Sequence, residues 1–387
     1  MTKEVRISNY SRADDTDLRT MTVDLGPRKI TTPTKAITTK SFYKDTQFPS
    51  ELSDLNEIFL RFDDKTLISM DEDKSYSMHK NNDVNRSKIK ANDCPSLCFV
   101  EFKNKGDTKR YPNIHELETL TNVAYTYSDL TPIPSIPKMA RTINKENYDE
   151  FIQYISSCID SIEVRNKKSI LGYIPSVAAL YTRKLVDFYL DHGINAYYID
   201  FDGTMVRSHL DSLNALKKQL AKRGYEENNF LYYTNVSYGK AINDQGVLSA
   251  RDLVAYGHGL DCLGGIHMGP KRSPEFYEWF KTKKDISRNT NRILNRQDYG
   301  YYRIDLAESI PNIYPKDALI ESGNVLSELN SRQKRLLQIV NLQQQCKEAD
   351  NLKIITNESQ DTSLDYFRSK KNVIKEDLKS LAKKSGI

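Results

Sequence analysis

Residues 169–203, SILGYIPSVAALYTRKLVDFYLDHGINAYYIDFDG, carry the pattern that decides the fold. SILGYIP (169–175) and INAYYIDFDG (194–203) are short apolar runs, whereas SVAALYTRKLVDFYLDHG (176–193) spaces its apolar residues at the helical period and ends on Gly193. Short apolar runs bounded by turn residues predict buried strands, and the stretch between them predicts an amphipathic helix. The cycle then repeats: a helix over 207–224, a strand over 229–237, a helix over 248–259 and a strand over 260–269. Four strands with three helices between them predict right-handed parallel βαβ units.

Working outward, TPTKAITT (32–39), EIFLRF (57–62), SLCFVEF (96–102) and NVAYTYSD (122–129) read as four further strands. Eight strands in an α/β chain predict a (β/α)8 TIM barrel with a C-terminal helical extension; a doubly wound sheet is the competing architecture. The expected organisation is a loosely ordered polar segment over 1–30, a barrel domain over 31–310 and a helical extension with a basic tail over 311–387. Residues 64–93 lack sustained periodicity and read as a surface excursion.

The 387 residues are 38% hydrophobic and 28% charged, with 24 tyrosines, and no window approaches the run of about 20 apolar residues that a membrane helix needs. The first twenty residues have no apolar core of the signal-peptide kind, so a cytoplasmic, reducing setting is expected. Five scattered cysteines fit neither a disulfide framework nor a metal knuckle. The net charge of +5 is mild. From Phe367 onward, however, seven Lys and Arg face only Glu376 and Asp377, and Ile374, Leu378 and Leu381 recur at helical spacing. This tail reads as a basic amphipathic helix that packs one stripe on the body or meets a phosphate backbone.

In a parallel barrel the chemistry sits at the carboxyl ends of the strands. The acids expected there are Glu101, Asp129, Asp200, Asp202 and Asp261. Any one of them alone reads equally as a helix cap or a solvated loop acid; together they predict a polar pocket. YYIDFDGTMV (197–206) resembles the nucleophile motif of haloacid-dehalogenase-type phosphatases, which would make Asp200 a nucleophile and Asp202 a proton donor beside Mg²⁺. That family also needs a downstream acidic motif for the metal, and after residue 250 there is no Gly-Asp dipeptide or suitable acid pair.

A second resemblance runs over residues 31 to about 350. TYSDLTPIPS (126–135), ILGYIPSV (170–177), INAYYIDFDGTMV (194–206), LVAYGHGLDCLGG (253–265) and RLLQIVNLQQQ (335–345) follow in order the segments of tRNA-guanine transglycosylases. The chain resembles the archaeal tRNA-modifying or DNA-modifying type of that superfamily. The resemblance implies exchange of guanine for a 7-deazaguanine base in tRNA or DNA, through an Asp-linked glycosyl intermediate whose oxocarbenium-like transition state is stabilised by the negative charge below the sugar. It also implies a homodimer or a paralogous partner subunit. A non-catalytic nucleic-acid-binding or partner role is the third reading.

With one deletion in the turn, Asp261 falls on the family's nucleophile; without it, Gly264 stands there. Glu101 falls near an acid with a base-contacting or acid/base role. Ser128, Asp129, Gly172, Asp200 and Asp202 fall in or near the base pocket, with Asp200 and Asp202 replacing a glycine-rich segment. His267, Lys271 and Arg272 are candidates for the phosphates flanking the attacked sugar. Family members hold a structural zinc with three Cys and a late His, but Asn312, Tyr314, Asp317 and Val340 stand at those places here. No soft ligand remains, so no cofactor and no structural zinc are expected. Elemental analysis of the purified protein should find far less than one zinc per chain; a stoichiometric amount would contradict this expectation.

Overall fold

The structure, a computed structural model, describes residues 4–26, 28–38, 55–72, 84, 94–104, 109–165, 167–268, 275, 278, 291–305, 312–328, 330–358 and 362–382. The fold is mixed α/β. Strands β1 (Arg6–Arg12), β2 (Arg19–Asp24) and β3 (Lys29–Thr32) form an antiparallel sheet in the order β1-β2-β3. Thus much of the segment expected to be loose is ordered. Residues such as Met21, Val23 and Ile30 are buried, and that apolar side holds the polar segment on the body.

Next come β4 (Thr34–Lys35), β5 (Asn56–Phe62), β6 (Ser96–Phe102), β7 (Thr131–Pro132), β8 (Ile170–Ile174), β9 (Ala196–Asp200), β10 (Phe230–Thr234), β11 (Leu248–Ser249) and β12 (Cys262–Leu263). Six of them form a parallel sheet in the order β4-β12-β10-β9-β8-β7. Strands β5 and β6 pair in parallel along their whole length, Asn56 opposite Ser96 through Phe62 opposite Phe102. Single parallel bridges extend both ends of that pair: Ile37 to Asn56, next to β4, and Glu101 to Ser135, just after β7.

Helices α1 (Asp64–Glu72), α2 (Ile114–Tyr127), α3 (Tyr148–Glu163), α4 (Ala179–Asp191) and α5 (Leu210–Lys222) fill the connections. Residues 122–127, expected as a strand, belong to α2 instead. The aromatic and β-branched residues suggested a strand, but a capping box outweighs them: the Asn113 side chain accepts from Glu116 N at 3.0 Å, and Glu116 Oε2 accepts from Asn113 N at 2.8 Å. The strand β7 itself is two residues long. Gly172 in β8 has its Cβ position about 3.0 Å from the Tyr189 ring of α4, so any side chain there would push the helix off the sheet.

Strands β13 (Arg292–Asn295) and β14 (Gly300–Arg303) pair with β11 into a small antiparallel sheet, on which helix α6 (Asn330–Glu358) packs. Asn341 of α6 completes the backbone of β13, accepting from Leu294 N at 2.8 Å and donating to Arg292 O at 2.8 Å. At the positions compared with zinc ligands, Val340 joins an apolar cluster with Ile293, Ile313 and Leu337. Asp317 binds Gln344, Lys347 and Arg296, and Tyr314 donates to Ile320 O. The tail expected as one helix is two, Ser363–Arg368 and Lys375–Leu381, and Lys370 between them is buried with its Nζ 4.1 Å from the centroid of the Tyr366 ring. Among the described residues, no helix is long and apolar enough to cross a membrane.

The N-terminal sheet is anchored by one buried ion pair. Arg19 of β2 donates from Nε to Asp261 Oδ1 at 2.8 Å and from Nη2 to Asp261 Oδ2 at 2.6 Å, and Leu231 N donates to the same Oδ2 at 2.7 Å. Removing one partner of such a pair strands the other charge away from water. Asp261→Ala should therefore lower the unfolding free energy by about 3–5 kcal/mol in urea titration, and Arg19→Met should do the same. A loss under about 1 kcal/mol in both would contradict this role.

Candidate functional site

Parallel strands alternate their side chains, so residues two apart in one strand share a face. That rule stacks Glu101 over Phe99 in β6, Asp200 over Tyr198 in β9, and Thr234 over Tyr232 in β10. The aromatic residues form a floor: the Tyr198 centroid lies 5.0 Å from Tyr173 and 5.1 Å from Phe99, and Phe99 lies 4.9 Å from Tyr232. The Tyr198 hydroxyl donates to Ile133 O at 2.6 Å, which fixes the ring. Above this floor, at the carboxyl ends of the strands, polar side chains gather.

Asp200 is 6% exposed. Its Oδ1 accepts from Asp202 N at 2.8 Å and from Asn235 Nδ2 at 2.9 Å, while Oδ2 takes no hydrogen bond from the described residues. Burial pushes the Asp200 carboxyl above its ordinary range, and the nearby charges of Asp202 and Glu101 add to the shift; the two hydrogen bonds only partly oppose it. Asp202 follows in a left-handed turn, φ 50°, with Gly203 at φ 71°. Its carboxylate is gripped by Arg141, through Nε at 2.8 Å and through Nη2. Glu101 is gripped by Arg61, from Nε to Oε1 at 2.6 Å and from Nη2 to Oε2 at 3.2 Å.

The sequence reading missed Glu57, which gathers His267 and the Gly264–Gly265 turn around it. Glu57 is fully buried; it accepts from the Tyr232 hydroxyl, from Gly265 N at 2.9 Å and from Thr38 Oγ1 at 2.9 Å, and it meets His267 Nε2 at 2.6 Å. The His267 ring stacks on Phe59, with centroids 3.9 Å apart and planes within 2°. Lys35 Nζ lies alongside on the carbonyls of Ala36, at 2.7 Å, and Gly264, at 3.1 Å. A Cβ on Gly264 would collide with Glu57 and Tyr232, which is why two glycines stand at 264 and 265. The signal lay in EIFLRF, whose alternation puts Glu57, Phe59 and Arg61 on one face.

The residues expected in the site therefore divide. Glu101, Asp200, Asp202 and His267 share the carboxyl end. Asp261 does not: it precedes β12 at the amino end, is 0% exposed and has both oxygens occupied, so it cannot reach a substrate there. Ser128 and Asp129 also lie at the amino end, where Cys98 N donates to Ser128 Oγ at 2.7 Å and Ser96 N donates to Asp129 Oδ2 at 2.7 Å. Both serve the start of β6 and not a base pocket. Gly172 faces α4, as described above. Lys271 and Arg272 lie outside the described residues. Among the described residues, no three His, Cys, Asp or Glu side chains come within reach of one metal ion; each carboxylate at the carboxyl end is tied to its own partner.

Burial by itself would raise the Glu57 pKa, but the charge and hydrogen bond of His267, with help from Lys35 and Tyr232, bring it down to about 2 from 4.5. A depressed carboxyl contributes stability above its unfolded pKa and loses it as pH falls through the folded one. The wild-type unfolding free energy should thus fall between about pH 4.5 and 2, and Glu57→Gln should be less stable at pH 7 with a flatter profile across that window. Identical profiles would refute this role for Glu57. Asp200 has the opposite sign: Asp200→Asn should stabilise the fold above the pH at which an ordinary Asp ionises and change nothing below it. A destabilised variant at pH 8 would contradict the raised carboxyl.

No family model matches the chain, and no curated protein does. Among solved structures, the chain is similar to a multifunctional pyruvate carboxylase from Rhizobium etli at 9% identity, covering 82% of this chain and 28% of that one, with a TM-score of 0.39. It is also similar to the endoglucanase Cel6 from Mycobacterium tuberculosis at 6% identity, covering 49% of this chain and 65% of that one, with a TM-score of 0.29. The chain thus spans less than two thirds of each of these structures.

Proposed function

We propose that the eight parallel strands close into a (β/α)8 barrel, and that its mouth exchanges guanine for a 7-deazaguanine base in tRNA or DNA. Support for closure comes from the two single bridges: Ile37 to Asn56 and Glu101 to Ser135 link the β5–β6 pair to both edges of the six-stranded sheet. The order of resembling segments along the sequence supports the substrate class.

One observation carries the chemistry: Asp200 and Glu101 stand at the same end of the parallel strands, Asp200 buried with hydrogen bonds on Oδ1 alone and Glu101 gripped through both oxygens by Arg61. A buried carboxyl group whose neutral form is favoured, beside a second carboxyl group held by an arginine, is suited to separate acid and nucleophile roles. Asp200, whose burial favours the neutral form and whose Oδ2 takes no hydrogen bond from the described residues, is the proton donor. Glu101, held by Arg61, is the nucleophile. In the proposed reaction a Glu101 oxygen bonds to C1′ as the C1′–N9 bond breaks; the electron pair leaves with guanine, and the Asp200 proton goes to the departing base. N9 of the incoming 7-deazaguanine then attacks C1′, the glycosyl ester breaks, Glu101 is regenerated and the N9 proton returns to Asp200. The stacked Phe59 and His267 rings offer a flat surface to a base drawn out of its strand.

Incubation with labelled guanine and a panel of tRNA and DNA tests the reading. Wild type should incorporate label, and Asp200→Asn and Glu101→Gln should each lower kcat by about 10²-fold or more. Lack of incorporation by folded wild type on every substrate, or full activity of both variants, would overturn it. Mg²⁺-dependent hydrolysis of an aryl phosphate would instead favour the phosphatase reading.

A further inference from the structure

We propose that the pocket of about 380 Å³ beside Glu101 is a phosphate-ester site, a reading that rests on the base-exchange function and supplies its nucleotide anchor. The pocket is lined by Arg61, Lys103, Asn104, Lys138, Arg141 and Met268, along with Glu101 itself. Four cations line the pocket against two carboxylates, Glu101 and Asp202, which position Arg61 and Arg141, and the net positive charge attracts an anion.

The decisive residue is Asn104, which is 5% exposed. Its Oδ1 accepts from Arg110 N at 3.2 Å, so the other amide position is the NH₂. That Nδ2 is buried without a hydrogen-bond partner among the described residues. A buried donor left unmade is costly, and native proteins keep few of them. Asn104 lines this basic pocket, and a phosphate oxygen reaching its amide would supply the missing partner through a charge-assisted bond. Because Glu101 borders the same pocket, a phosphate there flanks the ribose that the mouth attacks. Neither the nucleophile nor the proton donor is needed to form this anchor.

Calorimetry with guanosine and guanosine monophosphate, and anisotropy with a labelled single-stranded oligonucleotide, test the site on the full chain. Wild type should bind the monophosphate about tenfold or more tighter than guanosine. Asn104→Asp keeps the acceptor for Arg110 N and replaces the donor with a negative charge, so it should abolish that preference without weakening guanosine binding. Lys103→Gln with Lys138→Gln should reduce the salt slope of oligonucleotide binding by about 0.7 per lysine if the phosphate belongs to a strand. An unchanged slope with a lost monophosphate preference assigns the phosphate to a free nucleotide. Equal wild-type binding of guanosine and its monophosphate, or a monophosphate affinity untouched by Asn104→Asp, would overturn the proposal. A phosphate preference intact in a wild type that exchanges no base would sink the base-exchange reading and leave the anion site standing.

Discussion

A carboxylate shut away from water persists only when donors replace the water it has lost, and Glu57 ties together the strand ends around it. Its donors come from β10 through Tyr232, from the turn after β12 through Gly265 and His267, and from the chain after β4 through Thr38. Those segments must approach within hydrogen-bond distance of one side chain. The two glycines at 264 and 265 make room for it, Lys35 settles on the neighbouring carbonyls, and the imidazole of His267 lies flat on Phe59. A looser arrangement would leave a buried charge exposed to nothing, so the positions of these strand ends are linked.

The two ends of the parallel strands carry different work. At the amino end, Asp261 is taken up by Arg19 and Leu231 N, and Asp129 and Ser128 each accept from a backbone N–H of β6, so they hold the strand starts and the N-terminal sheet together. At the carboxyl end, Asp200 leaves one oxygen open in a buried setting that favours its neutral form, while Glu101 and Asp202 are held by arginines that line the adjoining pocket. The second end includes the left-handed Asp202 turn and the half-satisfied Asn104 amide. Proteins tend to keep such features where ligands complete them.

Much of this was legible in the sequence, for identifiable reasons. The alternation of short apolar runs and amphipathic stretches over 169–269 depends on local periodicity, and the parallel strands β8, β9, β10 and β12 appear where that periodicity put them. The strand at 122–127 failed because a capping box at Asn113 overrode aromatic composition. The polar first thirty residues looked loose because an edge sheet needs only one buried side per strand. Glu101, Asp200 and Asp202 lie at the carboxyl end as expected, because Glu101 and Asp200 stand at the ends of their strands and Asp202 follows two residues later. Asp261 was misplaced because Asp-Cys-Leu opens its strand instead of closing it, a difference of two or three residues that decides which end of the sheet a side chain occupies. Glu57 escaped because an acid early in an apolar strand reads as a break in the pattern, not as the centre of a network assembled from segments about 180 and 210 residues away.

The central claim is that the carboxyl group which bonds to the sugar stands at the mouth and not at Asp261. Trapping the glycosyl-enzyme with substrate in the absence of an acceptor base, followed by proteolysis and mass spectrometry of the labelled peptide, tests it directly. The account predicts the adduct on the peptide that contains Glu101. An adduct on Asp261 would contradict it.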